Sequence, residues 1–197
     1  MRSKYWILLT LAAIALVTAF GPREQTLGAN LRLVTLHGAM VWTGKLVFGA
    51  AALAGLAALV SRRRGLAALS QALGRTGLLF WLTYLPMSLL LMQLTWNGLF
   101  FDEPRWRVPF SFGVAAVLLQ AALWLINHPD LTSLGNLAFG AALWWRMGGL
   151  GTVLHPTSAI SASDSLRIQL FFVALLILTL LFALQFTRLI YRPQRAD

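Results

Sequence analysis

Six apolar runs, Tyr5 to Phe20, Leu33 to Val60, Gly77 to Thr95, Pro109 to Ile126, Leu134 to Leu154 and Ile168 to Thr187, constrain this chain more than any other feature. A hydrocarbon core of about 30 Å is crossed by roughly 20 apolar residues in an α-helix, and within it every backbone N–H and C=O must be paired inside the segment. Lys45 and Arg146 are the only charged residues inside the runs. The composition agrees: 58% of the 197 residues are hydrophobic and 11% charged, which is more apolar surface than a soluble core of this size hides. The expected fold is all-α: one transmembrane domain over residues 1–197, a polytopic bundle of six transmembrane helices. The second run is long enough to tilt or to extend past the lipid. The first is short and follows Arg2 and Lys4, the shape of a signal peptide, but "VTAFGPRE" offers no A-x-A cleavage pattern, so a retained helix is expected.

The formal net charge of +10 raises the question of nucleic acid, but the basic residues stand in short groups between apolar runs and form no basic face on a soluble fold. They read as topology determinants. With the N-terminus inside, the inner segments hold Arg2, Lys4, Arg62, Arg63, Arg64, Arg75, Arg188, Arg192 and Arg195, against Arg23, Arg32, Arg105, Arg107 and Arg167 outside. A lysine and arginine excess marks the cytoplasmic side, so both termini are expected there. Glu24, Asp102, Glu103 and Asp164 then fall outside. Gly44, Gly49, Gly55, Gly135, Gly140, Gly148 and Gly149 fall inside the runs, where small residues let helices approach closely. With no cysteine, disulfides and thiolate metal sites are excluded.

On this topology His37 stands at the outer head of the second helix, His155 in the outer loop after the fifth, and His128 in the inner loop "NHPD". Imidazole is a common haem ligand, and two such groups from different helices can meet an iron from opposite faces. An interfacial histidine also serves simply to cap a helix end. The outer connection "TWNGLFFDEPRWRVPF" gathers two tryptophans, three phenylalanines, two acids and two arginines. An aromatic belt accounts for tryptophans at an interface. The same surface also suits a flat apolar macrocycle bearing carboxylates, because rings stack on its faces and arginine forks pair with its acids.

These pieces resemble the haem-handling proteins of cytochrome c maturation (the CcmC/CcsA type). The resemblance runs from about Arg32 to Thr187 and rests on order and topology. "RLVTLHGAM" stands for the family's first histidine motif, "WNGLFFDEPRW" for its tryptophan-rich loop, and "WWRMGGLGTVLHPTS" for its second histidine motif. There are departures: phenylalanines replace tryptophans in the loop, Pro104 lengthens the Asp to Arg spacing, and extra residues separate Trp145 from His155. The resemblance implies haem b held near the outer face of the plasma (inner) membrane by His37 and His155. Trp96, Phe100, Phe101 and Trp106 would form the porphyrin platform, with Asp102 in the same cofactor-binding loop and Arg105 and Arg146 as propionate partners. It also implies transfer to a haem chaperone or an apocytochrome c acceptor.

An intramembrane charge is a functional hypothesis by default, and so are Lys45 and Arg146. Lys45 lies eight residues beyond His37, roughly 12 Å along the helix, too far to touch the same ligand atom. No carboxylate occupies a run interior, which argues against a cation-coupled transporter. The serines, His155 and Asp164 of "HPTSAISASDS" share one loop without the geometry of a triad, so a carrier is expected more than an enzyme. Two alternatives stay open: a non-haem accessory subunit of a larger membrane complex, and a small bis-histidine electron-transfer cytochrome b.

Overall fold

The computed structural model describes residues 2–154 and 163–192, and these form six α-helices. They are α1 (Arg2–Ala19), α2 (Leu31–Ser61), α3 (Arg64–Trp96), α4 (Pro104–Ile126), α5 (Pro129–Gly148) and α6 (Leu166–Ile190). Four of them, α2, α3, α4 and α6, are long and apolar enough to cross a membrane. Large apolar side chains such as Leu16, Val60, Leu118, Trp124, Leu125, Leu170 and Ile177 face outward, a surface suited to lipid.

The interior combines large rings with many small side chains. The buried stripe of α2 runs Thr35, Ala39, Thr43, Val47, Ala51, Ala54 and Ala58, one small side chain per turn. In lipid, burying a leucine against another helix removes no water, so association depends on close packing and polar contacts, which small side chains permit. The tightest approach is α2 against α5. A Cβ on Gly55 would stand 2.5 Å from the Ser133 carbonyl oxygen, and one on Gly140 would stand 2.8 Å from that of Phe48.

Polar side chains then join the helices. Asn136 Nδ2 donates to the Ser70 carbonyl and hydroxyl, both at 3.0 Å, while Gln120 Nε2 donates to Asn136 Oδ1 at 2.8 Å. Ser70 Oγ donates in turn to the Ala51 carbonyl at 2.8 Å, so one buried chain of bonds links α4, α5, α3 and α2. Thr43 and Thr179 share a hydroxyl bond at 2.7 Å between α2 and α6, as do Thr76 and Thr187 at 2.9 Å between α3 and α6. Gln185 Nε2 donates to Thr10 Oγ1 at 3.0 Å, tying α6 to α1. These partners fix directions: Lys45 meets Trp144 and Gly55 meets Ser133, so α2 and α5 are antiparallel. Asn30 with Leu94 and Ala51 with Ser70 make α2 and α3 antiparallel. The α1–α2, α3–α4 and α5–α6 connections therefore gather at one end of the bundle, here the connection end.

Several expected boundaries shift. The stretch 64–76, expected as part of an inner loop, is the first part of α3, so Arg75 sits on a helix and only Arg62 and Arg63 separate α2 from α3. Hydropathy marks where lipid begins, but helix propagation continues through "GLAALSQALGR" because its residues form helix well and pair their own backbone. Arg62 turns the chain in the left-handed region, φ 56°, with its N–H on the Ala58 carbonyl. The fifth helix spans Pro129–Gly148 instead of reaching Leu154. Pro129 occupies its first turn and Gly149 its C-cap, both ordinary boundary signals. Gly148 and Gly149 thus make no close helix contact, and a Cβ on either meets nothing within 4 Å.

At the connection end, Gly28, φ 55°, closes a turn whose N–H bonds the Glu24 carbonyl at 2.7 Å. The Glu24 carboxylate accepts from the backbone N–H of Thr26 and Leu27, both at 2.9 Å, and these bonds hold it below the usual carboxylate range. Arg32 closes the connection, its Nε donating to the Gly21 carbonyl at 2.9 Å and its Nη1 to that of Ala19.

Gly55→Ala and Gly140→Ala should each lower stability by about 1–3 kcal/mol, because the added methyl meets backbone that cannot move aside. Gly148→Ala should be neutral or slightly stabilising. Thermal unfolding of the three variants in one detergent checks the contrast.

Candidate functional site at the connection end

Beneath the connection end lies an aromatic plug. Phe48 of α2 packs on Phe139 of α5 at 4.7 Å and on Trp81 of α3 at 5.8 Å between ring centroids, and Trp81 meets Tyr84 edge-on at 4.9 Å. Trp81 Nε1 donates to the Pro109 carbonyl of α4 at 2.9 Å, which locks the plug to a fourth helix. On top of Tyr84 stands the His37 ring, edge to face at 5.5 Å.

Above His37 opens a groove of about 130 Å³ between the first turns of α2, the last turns of α3 and the start of α4. Leu91, Met92, Val34 and Leu27 give it apolar walls, while Trp96, Glu103, Arg105 and Trp106 line its upper part. The turn held by Glu24 presents Leu27, and the left-handed C-cap at Asn97, φ 55°, turns the chain out of α3 beside Trp96.

Of the residues singled out in the sequence, the structure gathers His37, Trp96, Arg105 and Trp106 around this groove. Phe100 packs edge-on against Trp96 at 6.0 Å and Phe101 against Trp106 at 5.0 Å, so both phenylalanines buttress the tryptophans from a more exposed position. Trp106 also stacks on Phe110 at 4.9 Å with an interplanar angle of 11°. Asp102 is fully exposed and lies 3.8 Å from Arg107, a solvated pairing worth little. Arg146 is exposed in the last turn of α5, where a cation complements the helix dipole, and it does not line the groove. His155 lies outside the described residues. His128, exposed, caps α5 by accepting the Leu131 N–H at 3.5 Å, the role open to any histidine at a helix end.

Lys45 finds its partners in Trp42 of α2 and Trp144 of α5. Its Nζ stands 4.4 Å from the centroid of Trp42 and 4.7 Å from that of Trp144, while Trp144 Nε1 donates to the Lys45 carbonyl at 3.0 Å. Two π-faces take the ammonium where a carboxylate is lacking.

Two residues escape the sequence reading. Tyr84 is a buried phenol directly under His37, and its hydroxyl has no hydrogen-bond partner among the described residues. Nothing local marks it; only the helix rotation turns it inward. Glu103, 3% exposed, is the one acidic side chain buried among the described residues. Its place before Pro104 signals a helix start, yet its side chain makes no capping bond to its own helix. Its carboxylate accepts instead from the backbone N–H of Leu154 at 2.8 Å and of Val153 at 3.3 Å.

The donor set can be compared with a haem. The Trp106 indole N–H is buried without a hydrogen-bond acceptor among the described residues, as is the Tyr84 hydroxyl. Trp106 lines the groove together with Arg105, a pair that suits an apolar ligand carrying oxygen acceptors, and the His37 imidazole in the same groove suits iron; Tyr84 packs against His37 and does not line the groove. The chemistry fits. The size is more restrictive: about 130 Å³ is below the roughly 300–1,000 Å³ of pockets for drug-sized ligands, so the described walls receive one edge of a macrocycle or a slimmer group. Among the described residues no cluster of three or more metal-binding side chains occurs. Comparison with family models, curated proteins and solved structures finds no match for this chain.

Asp102→Asn should change unfolding stability by less than about 0.5 kcal/mol, since its only pairing is solvated. A double-mutant cycle between Trp42→Leu and Lys45→Met should give a coupling of about 0.5–2 kcal/mol. Chemical or thermal unfolding in detergent measures both.

Proposed function

We propose that this protein is a membrane haem-binding protein of cytochrome c assembly, a carrier that holds haem b at the connection end and passes it to a chaperone or an apocytochrome c acceptor. The observation that carries this reading is the groove itself: an imidazole, two indoles and a guanidinium from α2, α3 and α4 line one apolar recess. The second support is indirect. Leu154, the residue preceding His155 in the sequence, is hydrogen-bonded at 2.8 Å to Glu103, which lines that same groove.

In this reading His37 and His155 would hold the iron, Trp96 and Trp106 would lie against the macrocycle, and Arg105 would take a propionate. Bound haem would supply an iron centre and a flat apolar face. The chain's own residues do the rest. Tyr84 fixes the tilt of the His37 ring from below, and Phe100 and Phe101 hold the two tryptophans upright. Asp102 and Arg146 have no part at the described groove walls. The lysine and arginine distribution supports a plasma-membrane orientation with all six helices spanning, both termini cytoplasmic and the groove facing outward.

The groove's modest volume favours a second reading, a non-haem accessory subunit whose recess takes a slim apolar group. A bis-histidine electron-transfer cytochrome would share the first reading's ligands and differ only in keeping its haem.

Purified in mild detergent from haem-replete cells, the wild-type protein should show a reduced-minus-oxidised spectrum with sharp α and Soret bands. His37→Ala and His155→Ala should each remove most of that absorption, and Trp106→Leu should lower haem retention. A featureless visible spectrum in the wild type, or an unchanged one in either histidine variant, overturns the haem reading. Transfer of the absorbance to an apo-acceptor separates carrier from fixed cytochrome.

A further inference from the structure

Lys45 is a charge that this fold holds beside lipid with rings alone. It flanks the outward stripe Trp42, Leu46, Leu53 and Leu56 of α2, all exposed. Its ammonium stands against the indoles of Trp42 and Trp144, and no carboxylate pairs with it among the described residues. The clamp is built into the helix contact. A Cβ on Gly49 would stand 2.8 Å from Trp144 Nε1, so glycine there lets the indole reach α2 and donate to the Lys45 carbonyl at 3.0 Å. Two ring faces attract the charge but supply no oxygen acceptor for the three N–H donors of an ammonium.

The depth of the clamp follows from the neighbouring helix. α5 ends at Gly148, and the chain beyond it is irregular through Leu154, with Gly149, Gly151, Val153 and Leu154 exposed. Exposed irregular backbone is not tolerated in hydrocarbon, so the lipid core ends no farther out than the last turn of α5. Trp144 lies within one turn of that edge, beside exposed Trp145 and Arg146, a composition that suits the membrane interface. Lys45 faces Trp144, and a helical side chain leans toward its own N-terminus, which for α2 is the connection end. The ammonium is thereby carried to the level of lipid headgroups.

That level offers phosphate oxygens. Arg105 stands near enough to Lys45 to repel it, while the acid close to Arg105 in the chain, Glu103, is engaged by the backbone N–H of Val153 and Leu154. An anion at the clamp therefore meets net positive charge. A zwitterionic headgroup brings its own ammonium, which the two indoles, already occupied, do not take. We propose that Trp42, Lys45 and Trp144 form a seat for the phosphate of an anionic phospholipid in the leaflet at the connection end. Lys45 Nζ donates to phosphate oxygens from the side the rings leave open, and the acyl chains run along the exposed stripe of α2. The seat is independent of what occupies the groove at His37.

The chain has two lysines, Lys4 and Lys45, so a first test needs no substitution. The full-length wild type is placed in nanodiscs of phosphatidylcholine, or of an equal mixture with phosphatidylglycerol, and acylated with a neutral amine-reactive reagent. Phosphatidylglycerol should slow modification of Lys45 by about fivefold beyond any slowing at Lys4, the factor that one basic residue contributes at an anionic lipid surface. Slowing no greater than at Lys4 overturns the seat, because a diffuse surface potential acts on both. Native mass spectrometry from detergent holding both lipids supplies the second test. Wild type and Lys45→Arg should retain phosphatidylglycerol over phosphatidylcholine, and Lys45→Met should lose that preference. Arg107→Gln, which removes an exposed cation at the same end outside the clamp, should keep it. Undiminished preference in Lys45→Met, or equal loss in Arg107→Gln, overturns a specific site.

Discussion

Close approach between helix backbones is the constraint on which the rest of this structure depends. Where Gly55 faces the Ser133 carbonyl and Gly140 faces that of Phe48, α2 and α5 stand nearer than any larger side chain allows. That proximity brings the short polar groups of four helices into reach, so Ser70, Gln120 and Asn136 can bond across the interior. In lipid there is no hydrophobic gain from helix pairing, and such bonds with tight van der Waals contact take over the role that leucine burial has in water. Many large aliphatic residues correspondingly face outside, while a few such as Leu143 and Leu175 stay in the interior.

The small-residue stripe of α2 continues toward the connection end through Thr43, Ala39 and Thr35. Beside it the aromatic plug of Phe48, Trp81, Tyr84 and Phe139 fills the interior between α2, α3 and α5. Above the plug, side chains no longer suffice to close the bundle, and the groove at His37 is what remains. Its rim is held by turns and by one carboxylate. Three settings illustrate how differently charge is handled in this chain. Lys45 is met by two indole faces, Glu103 by two backbone N–H groups, and the Asp102–Arg107 pair stays in solvent, where it contributes little.

The candidate site was legible in type and only partly in membership. His37, Trp96, Arg105 and Trp106 were identifiable because an imidazole at a helix head and a dense aromatic and basic connection are unusual next to lipid. Phe100 and Phe101 were equally conspicuous, yet they face the tryptophans' outer sides, and no pattern along the chain tells the front of a ring cluster from its back. Asp102 and Glu103 are adjacent and alike in charge, but one is solvated and the other buried. Tyr84 carried no signal, because a tyrosine in an apolar run is unremarkable until a histidine is found above it.

Helix type and number followed from the chain alone, since backbone pairing within a segment and the apolarity of roughly 20 consecutive residues are local properties. The starts of α4 and α5 did not: the apolar runs begin at Pro109 and Leu134, whereas the helices begin at Pro104 and Pro129, because proline opens a helix in its polar first turn before hydropathy rises. The extension of α3 back to Arg64 was not legible, because hydropathy reports solvent and not helix. Which faces meet, how close α2 comes to α5, and that Glu103 reaches across fifty residues to Val153 and Leu154 were decided only by the tertiary structure. Those outcomes depend on the rotation of each helix about its own axis, and that rotation is set by all its neighbours at once.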